Sequence, residues 1–299
     1  MQAGPRYQSD TLKQRKRKRR TWKGAAYVIL FVLLLAGATY ASHHPVFRVE
    51  QIVVNDLTFT DRAAVELAVK ETLQGRYLGL FARANSLTLP RHSIEQRIMR
   101  EHAAVASVDV DIDGLHTISL EVKEYAPVAR WCNTTVTPAP ALVHDDGELV
   151  TGSLPQPISS RNGDQCFLLN AEAIVFAPVP TVTVAAVPAD LITFFGRITR
   201  DPLRQQYTSR ERFEDILAFA RLVRRLDIVV TEAWTVNDEV YSLVTQPGAQ
   251  LFVDTTSDLG ETFTNLETVI TRDAINRAQF ANILYIDLRF GNRVFYKLR

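Results

Sequence analysis

The stretch VASVDVDIDGLHTISLEVKE, Val105 to Glu124, holds two alternating runs on either side of Asp113-Gly114. Val108, Val110 and Ile112 fall on one face with Ile118, Leu120 and Val122, whereas Asp109, Asp111, Glu121 and Lys123 fall on the other. Period-two alternation marks a half-buried strand, and Asp-Gly accepts the positive φ of a tight turn, so this stretch predicts a hairpin with one wet face. Its dry face needs a cover, and two helical patterns precede it. Thr60 is placed to cap a helix to about Leu73, with Ala64, Val65, Ala68, Val69 and Leu73 in one stripe and Gly75 as its stop. A second helix follows Pro90, with Ile94, Ile98 and Met99 inward and Ser93 to Gln96 spaced as a capping box. Ahead of both, VFRVEQIVVND, Val46 to Asp56, is rich in β-formers. Its apolar phase slips once between Val49 and Ile52, as a bulge would cause. Strand, helix, helix, strand, strand over residues 46–124 predicts a small mixed sheet covered on one side.

Further upstream, QRKRKRRTWKGAAYVILFVLLLAGATYAS (Gln14 to Ser42) sets a basic run against an uncharged apolar one. Residues 1–24 hold nine Lys and Arg against Asp10 alone, a net +8, so the rest carries −7 within a total of +1. A net-negative body repels phosphate, which argues against a generally nucleic-acid-binding chain. Gly24 to Ser42 has no charged side chain and is apolar on every face. As a helix this run approaches the ~30 Å hydrocarbon thickness of a bilayer. Trp22 and Tyr27 at one end and Tyr40 at the other suit the headgroup regions. A cleavable signal peptide has a shorter apolar centre, although ATYAS offers small residues to a peptidase. The long polar lead and the length of the run favour a retained anchor. The expected arrangement is a basic cytoplasmic tail (1–23), a transmembrane helix (24–42) and an extracytoplasmic remainder, single-pass in the cytoplasmic (inner) membrane.

Beyond residue 125 the segment between Cys132 and Cys166 is loaded with Pro, Gly, Ser and Asp and reads as an irregular excursion, with a small hairpin at Asp146-Gly147. CFLLN and AIVFAPV read as paired strands turning near Ala171 to Ala173. Ser209 opens a helix to about Leu226, striped by Phe213, Ile216, Leu217, Ala220 and Val223. Strands follow at Ala233–Val236, Val240–Thr245 and Gln250–Asp254, the first two hinged at Asn237-Asp238. A helix capped by Ser257 or Asp258 then carries Leu259, Phe263, Leu266, Val269 and Ile270. ILYIDLRFGNRVFYKLR closes the chain as two strands around Gly291-Asn292.

An anchor followed by FRVEQIVVN, two helices, VASVDVDI and LHTISLEVKEYAPVARW resembles the FtsQ/DivIB family of bacterial cell-division proteins. In that family a POTRA domain sits just outside the membrane and its closing strand runs into an acidic residue, then Pro-Val-Ala and an aromatic. Glu124, Pro127, Val128, Ala129 and Trp131 match here. Tyr285-Ile286-Asp287-Leu288-Arg289-Phe290 is similar to the penultimate strand of the family's β domain. The resemblance implies an α+β chain: a POTRA domain at 46–124, then a β domain at 125–299 with a mostly antiparallel sheet. It implies a scaffold of the septum-forming complex that binds FtsB/FtsL-like partners by adding a strand at its C-terminal edge. Phe290, Phe295 and Tyr296 match the positions used there, with Val294 on the same strand. The 133–165 excursion departs from many members and blurs the start of the β domain. POTRA domains also occur in transport and secretion proteins that handle extended clients, usually in series before a β-barrel.

Cys132 and Cys166 are expected outside the membrane, where oxidation is permitted. A bridge closing the excursion would contribute about 3–4 kcal/mol at most in the chain-entropy model; two buried free thiols are the alternative. Neither cysteine is flanked by glycines or a helix start that would supply an oxyanion site, and no phosphate loop, HExxH or Gly-x-Ser-x-Gly occurs. The expectation is a protein with no reaction, cofactor, metal or small-molecule substrate of its own. The Arg200–Arg212 region with Arg221, Arg224 and Arg225 suggests a basic helix face, ordinarily solvated. Asp287 and Arg289 alternate with Ile286, Leu288 and Phe290, so they share a side, either paired locally or offered to a partner.

Overall fold

The structure, a computed structural model, describes residues 10–77, 79–134, 142–143, 149–150, 165–180, 185–198, 200–237, 239–246, 248–271 and 280–299. It is a mixed α+β fold with one long N-terminal helix, α1 (Asp10–His43). Within α1 the 22 residues Trp22–His43 are long and apolar enough to cross a membrane, and the side chains of Val28 to Leu34 are exposed. Two compact units follow from the contacts: one runs to Leu57 and takes in Asp61–Glu101 and Ser107–Val122, the other combines Thr58–Thr60, His102–Ala106 and Lys123–Arg299.

The first unit contains β1 (Gln51–Val54), α2 (Arg62–Leu73), the short strands β2 (Arg76–Tyr77) and β3 (Phe81–Ala82), α3 (Arg91–Glu101) and most of β4 (Val105–Asp113) and β5 (Thr117–Glu124). Its three-stranded sheet has the order β1-β5-β4, with β1 parallel to β5. Val110, Ile118, Leu120 and Val122 are buried while Asp109, Asp111 and Glu121 are exposed, so the sheet is dry on one face only. Three local expectations are corrected. The first strand starts at Gln51, because Pro45–Phe47 is a 3-10 turn and the Val49 N–H donates to Ala84 O. The phase slip is thus a change of partner rather than a bulge. Asp61, not Thr60, caps α2 by accepting from the Ala63 N–H at 3.0 Å. α3 begins straight after Pro90, whose carbonyl accepts from Ile94, so Ser93 and Gln96 lie inside the helix and form no capping box.

The second unit is built on one nine-stranded sheet. Its strands are β6 (Ala129–Asn133), β9 (Cys166–Leu169), β10 (Val175–Pro178), β11 (Thr193–Gly196), β12 (Val229–Thr235), β13 (Val240–Gln246), β14 (Gln250–Asp254), β15 (Ile283–Phe290) and β16 (Arg293–Leu298). Two further short strands, β7 (Leu142–Val143) and β8 (Leu149–Val150), pair with each other. The expected turn between them, Asp146-Gly147, lies outside the described residues, as does Asp238. The order is β10-β9-β6-β11-β12-β13-β14-β15-β16, in which β6/β11, β11/β12 and β14/β15 are parallel and the other five junctions antiparallel. Cys132 and Cys166 stand opposite each other on β6 and β9 and are joined as a disulfide.

α4 (Arg210–Val223) links β11 to β12, and α5 (Leu259–Thr271) links β14 to β15. Ser209 caps α4 through the Arg212 N–H, and Asp258 caps α5 through Gly260 and Glu261. Both helices feed one core: Phe213, Ile216, Phe219 and Val223 with Phe263, Leu266 and Ile270, over Trp131, Phe194, Ala233, Leu243, Leu251, Val253, Ile286 and Leu288. The opposite face buries Phe195 stacked on Trp234 at 4.0 Å, and Phe252 against Tyr285.

At the end of β11, Gly196 faces the ring of Tyr207, whose hydroxyl donates to Phe195 O at 3.2 Å and also bonds the Thr235 hydroxyl. A Cβ at 196 would stand 2.6 Å from Tyr207 Cε2. Gly196→Ala is therefore expected to destabilise this unit by about 1–3 kcal/mol through overpacking, read as a lowered urea midpoint with an unchanged slope.

Candidate partner interface

The C-terminal end of the large sheet gathers the residues singled out in Tyr285 to Tyr296. β15 is buried on both sides. Ile286 and Leu288 enter the helix-covered core, and Tyr285 and Asp287 point to the other face. Asp287 is wholly buried, so its charge needs a partner at hand. Arg289, two residues on and hence on the same face, supplies a fork: Nε donates to Oδ1 at 2.8 Å, the second nitrogen to Oδ2, and its backbone N–H to Oδ1 at 3.2 Å. The same guanidinium lies 5.4 Å from the ring centre of Phe252 and 5.6 Å from that of Phe290. The hydrogen bond to Asp287 holds Arg289 above the ordinary arginine value, outweighing desolvation. Burial, then the Asp287 charge, raises the Tyr285 hydroxyl, which finds no hydrogen-bond partner among the described residues.

β16 is the outermost strand, with nothing paired on its far side among the described residues. Phe295 stands opposite Asp287 and packs edge-to-face on Phe290 at 5.3 Å. Val294 is half-buried against the helix-covered core. Tyr296 and Leu298 share its side by strand alternation but remain exposed, at 42% and 50%. The four expected contact residues thus divide between the two faces of the β15–β16 hairpin: Phe290 on β15 with Phe295 on β16, and Val294 with Tyr296. Phe252 and Leu298 belong to this end of the sheet too. Phe252 is far off in sequence and joins only through the β14/β15 register, in which it stands opposite Asp287.

The other end of the sheet is closed. Val175 on β10 accepts from Arg204 N–H at 2.7 Å and donates to Gln205 O at 3.0 Å, so residues 204–205 occupy that edge, and the strand ends in Pro178. The suggested basic face is partly paired with acids: Arg210 on α4 with Glu214 at 2.7 Å, and Arg224, in the 3-10 turn after α4, with Asp190 at 3.4 Å. Among the described residues no three of His, Cys, Asp and Glu converge so as to hold a metal ion. Both sulfurs of Cys132 and Cys166 are consumed by their bridge, so neither is a thiolate nucleophile in this state. Comparison of the chain with protein-family models and with curated proteins finds no match.

Truncating one member of a buried ion pair strands the other. Arg289→Ala is expected to cost about 3–5 kcal/mol, whereas Asp287→Asn combined with Arg289→Met, removing both charges, should recover most of it. Denaturant titration of the two variants beside the parent chain checks this.

Proposed function

We propose that the chain is a single-pass scaffold of the bacterial division complex, of the FtsQ/DivIB type, lodged in the cytoplasmic membrane at the division site. On this reading the first unit is its POTRA domain and the second its β domain. The β-α-α-β-β order of the larger elements supports the first assignment, and the Tyr285–Phe290 strand pattern with its Asp287–Arg289 pair supports the second. The basic run before Trp22 supports an N-terminus in the cytoplasm. One observation carries the binding role: of the two ends of the large sheet, β10 is bonded over while β16 presents its far backbone groups beside Phe290, Tyr296 and Leu298.

An extended segment of an FtsB/FtsL-like partner would add as a tenth strand. Main-chain hydrogen bonds would supply affinity, and the exposed side chains of Phe290, Tyr296 and Leu298 would read alternate partner residues. The protein then acts by holding others and performs no reaction.

The test is retention of FtsB/FtsL-like proteins by residues 46–299 in a pulldown, beside midcell accumulation of a fluorescent fusion. Tyr296→Ala with Leu298→Ala should weaken binding about tenfold or more while leaving the urea midpoint nearly unchanged, since both side chains are exposed. Unaltered retention would remove the edge from the mechanism. Equal binding of unrelated extended peptides would favour a transport component that handles unfolded clients.

A further inference from the structure

β2 and β3 form a small antiparallel hairpin, Arg76 opposite Ala82 and Tyr77 opposite Phe81, which the sequence pattern did not suggest. Its position against α1 gives it a role. The Ala82 N–H donates to Ser42 Oγ at 3.3 Å, and Asn85, wholly buried, donates from its side chain to Ser42 O at 2.9 Å. These bonds set Ala82 level with the last turn of the apolar helix. From there the hairpin runs back along the helix: Leu80 shares a groove of about 580 Å³ with Val32, Leu35, Ala36, Thr39, Tyr40 and His43. Two residues of extended chain cover about 6–7 Å, so the tip lies more than one helical turn inside the end of the span.

We propose that this hairpin tip dips into the outer leaflet beside α1, with a lipid acyl chain as the occupant of the groove. The inference rests on the reading that Trp22–His43 crosses the membrane. Three observations favour lipid over a polar partner. The groove continues the surface of a helix whose apolar side chains are exposed all round, Val28 to Leu34 among them. Two of its polar atoms are engaged within the helix: Thr39 Oγ1 donates to Leu35 O at 2.8 Å, and His43 Nδ1 lies 2.9 Å from Thr39 O. Leu80 itself is 41% exposed at a tip with Gly79, whose φ of +73° makes the tight turn. An exposed leucine there costs free energy in water and gains it in hydrocarbon. Insertion to this depth matches that of interfacial segments, about 5–10 Å.

The experiment places a fluorophore at the tip. The full chain carrying Leu80→Trp, and separately Tyr40→Trp, is reconstituted in vesicles of phosphatidylcholine brominated on the acyl chain or left unbrominated. Quenching is corrected for the native tryptophans with the unsubstituted chain. The expected result is quenching of the tryptophan at 80 comparable to that at 40, with a blue-shifted emission. Quenching at 40 but not at 80 would overturn the hairpin assignment and leave the span intact; quenching at neither would overturn the span. Quenching at 80 that vanishes as the protein-to-lipid ratio rises would assign the groove to a second copy of the chain and overturn the lipid assignment.

Discussion

Two of the three parallel junctions in the nine-stranded sheet determine where the helices and the last hairpin of the second unit can go. Parallel neighbours cannot be joined by a tight turn and need a crossover. β11 and β12 are bridged by α4, and β14 and β15 by α5. Because β13 is antiparallel to both β12 and β14, the four strands flanking the helices run in one direction, and both crossovers step the same way along the sheet. Right-handed crossovers that step the same way put their helices on the same face. The single core shared by α4 and α5 follows from that chirality. So does the end of the chain, since the stepping carries the last hairpin to the margin of the sheet.

With both helices on one side, the other side of β14 and β15 is packed by the strands' own residues. There Asp287 sits, fully buried, where a leucine would be the cheaper choice. A carboxylate in such a place persists only with its charge matched and its lone pairs filled, and Arg289 does both from two residues away. The guanidinium also lies over Phe252 on the neighbouring strand and over Phe290 at the start of the last turn. One side chain therefore ties β14, β15 and the turn into β16 together. In the proposed binding mode, this fixes the position of the edge that a partner would meet.

Strong local patterns were legible in the sequence. The Val105–Glu124 hairpin, the cap at Ser209, the choice of Ser257 or Asp258 (Asp258 in the structure) for the next helix, and the Cys166–Pro178 pair of strands all rest on neighbours within a few residues. What depended on distant partners was not. Thr193–Gly196 is four residues long and lies between two parallel neighbours more than thirty residues away, so neither length nor alternation marked it as a strand. Thr60 and Asp61 are both good caps, and only the backbone decides between them: the Thr58 and Phe59 N–H groups are held by the Glu124 carboxylate at 2.7 and 3.0 Å, which leaves Asp61 to start the helix. At the C-terminal edge the Phe290–Phe295 contact could be inferred from a turn two residues long. Phe252 could not, because its place opposite Asp287 is set by the register of a parallel pair.

An open edge is also a hazard, since copies of the same strand can pair with it. β16 carries Arg293 and Lys297 on the same side as Phe295, and Arg299 closes the chain. Two copies brought edge to edge in antiparallel fashion would set cations against cations along a ladder only six residues long, and like charges directly opposite destabilise a pair. Bulges between Ile283 and Tyr285 and between Asp287 and Phe290 add local twist, which suits a flat self-stack poorly. A different strand with acidic residues at alternate positions does not meet the charge obstacle. In the proposed binding mode, the same basic residues that oppose self-pairing would favour such a strand.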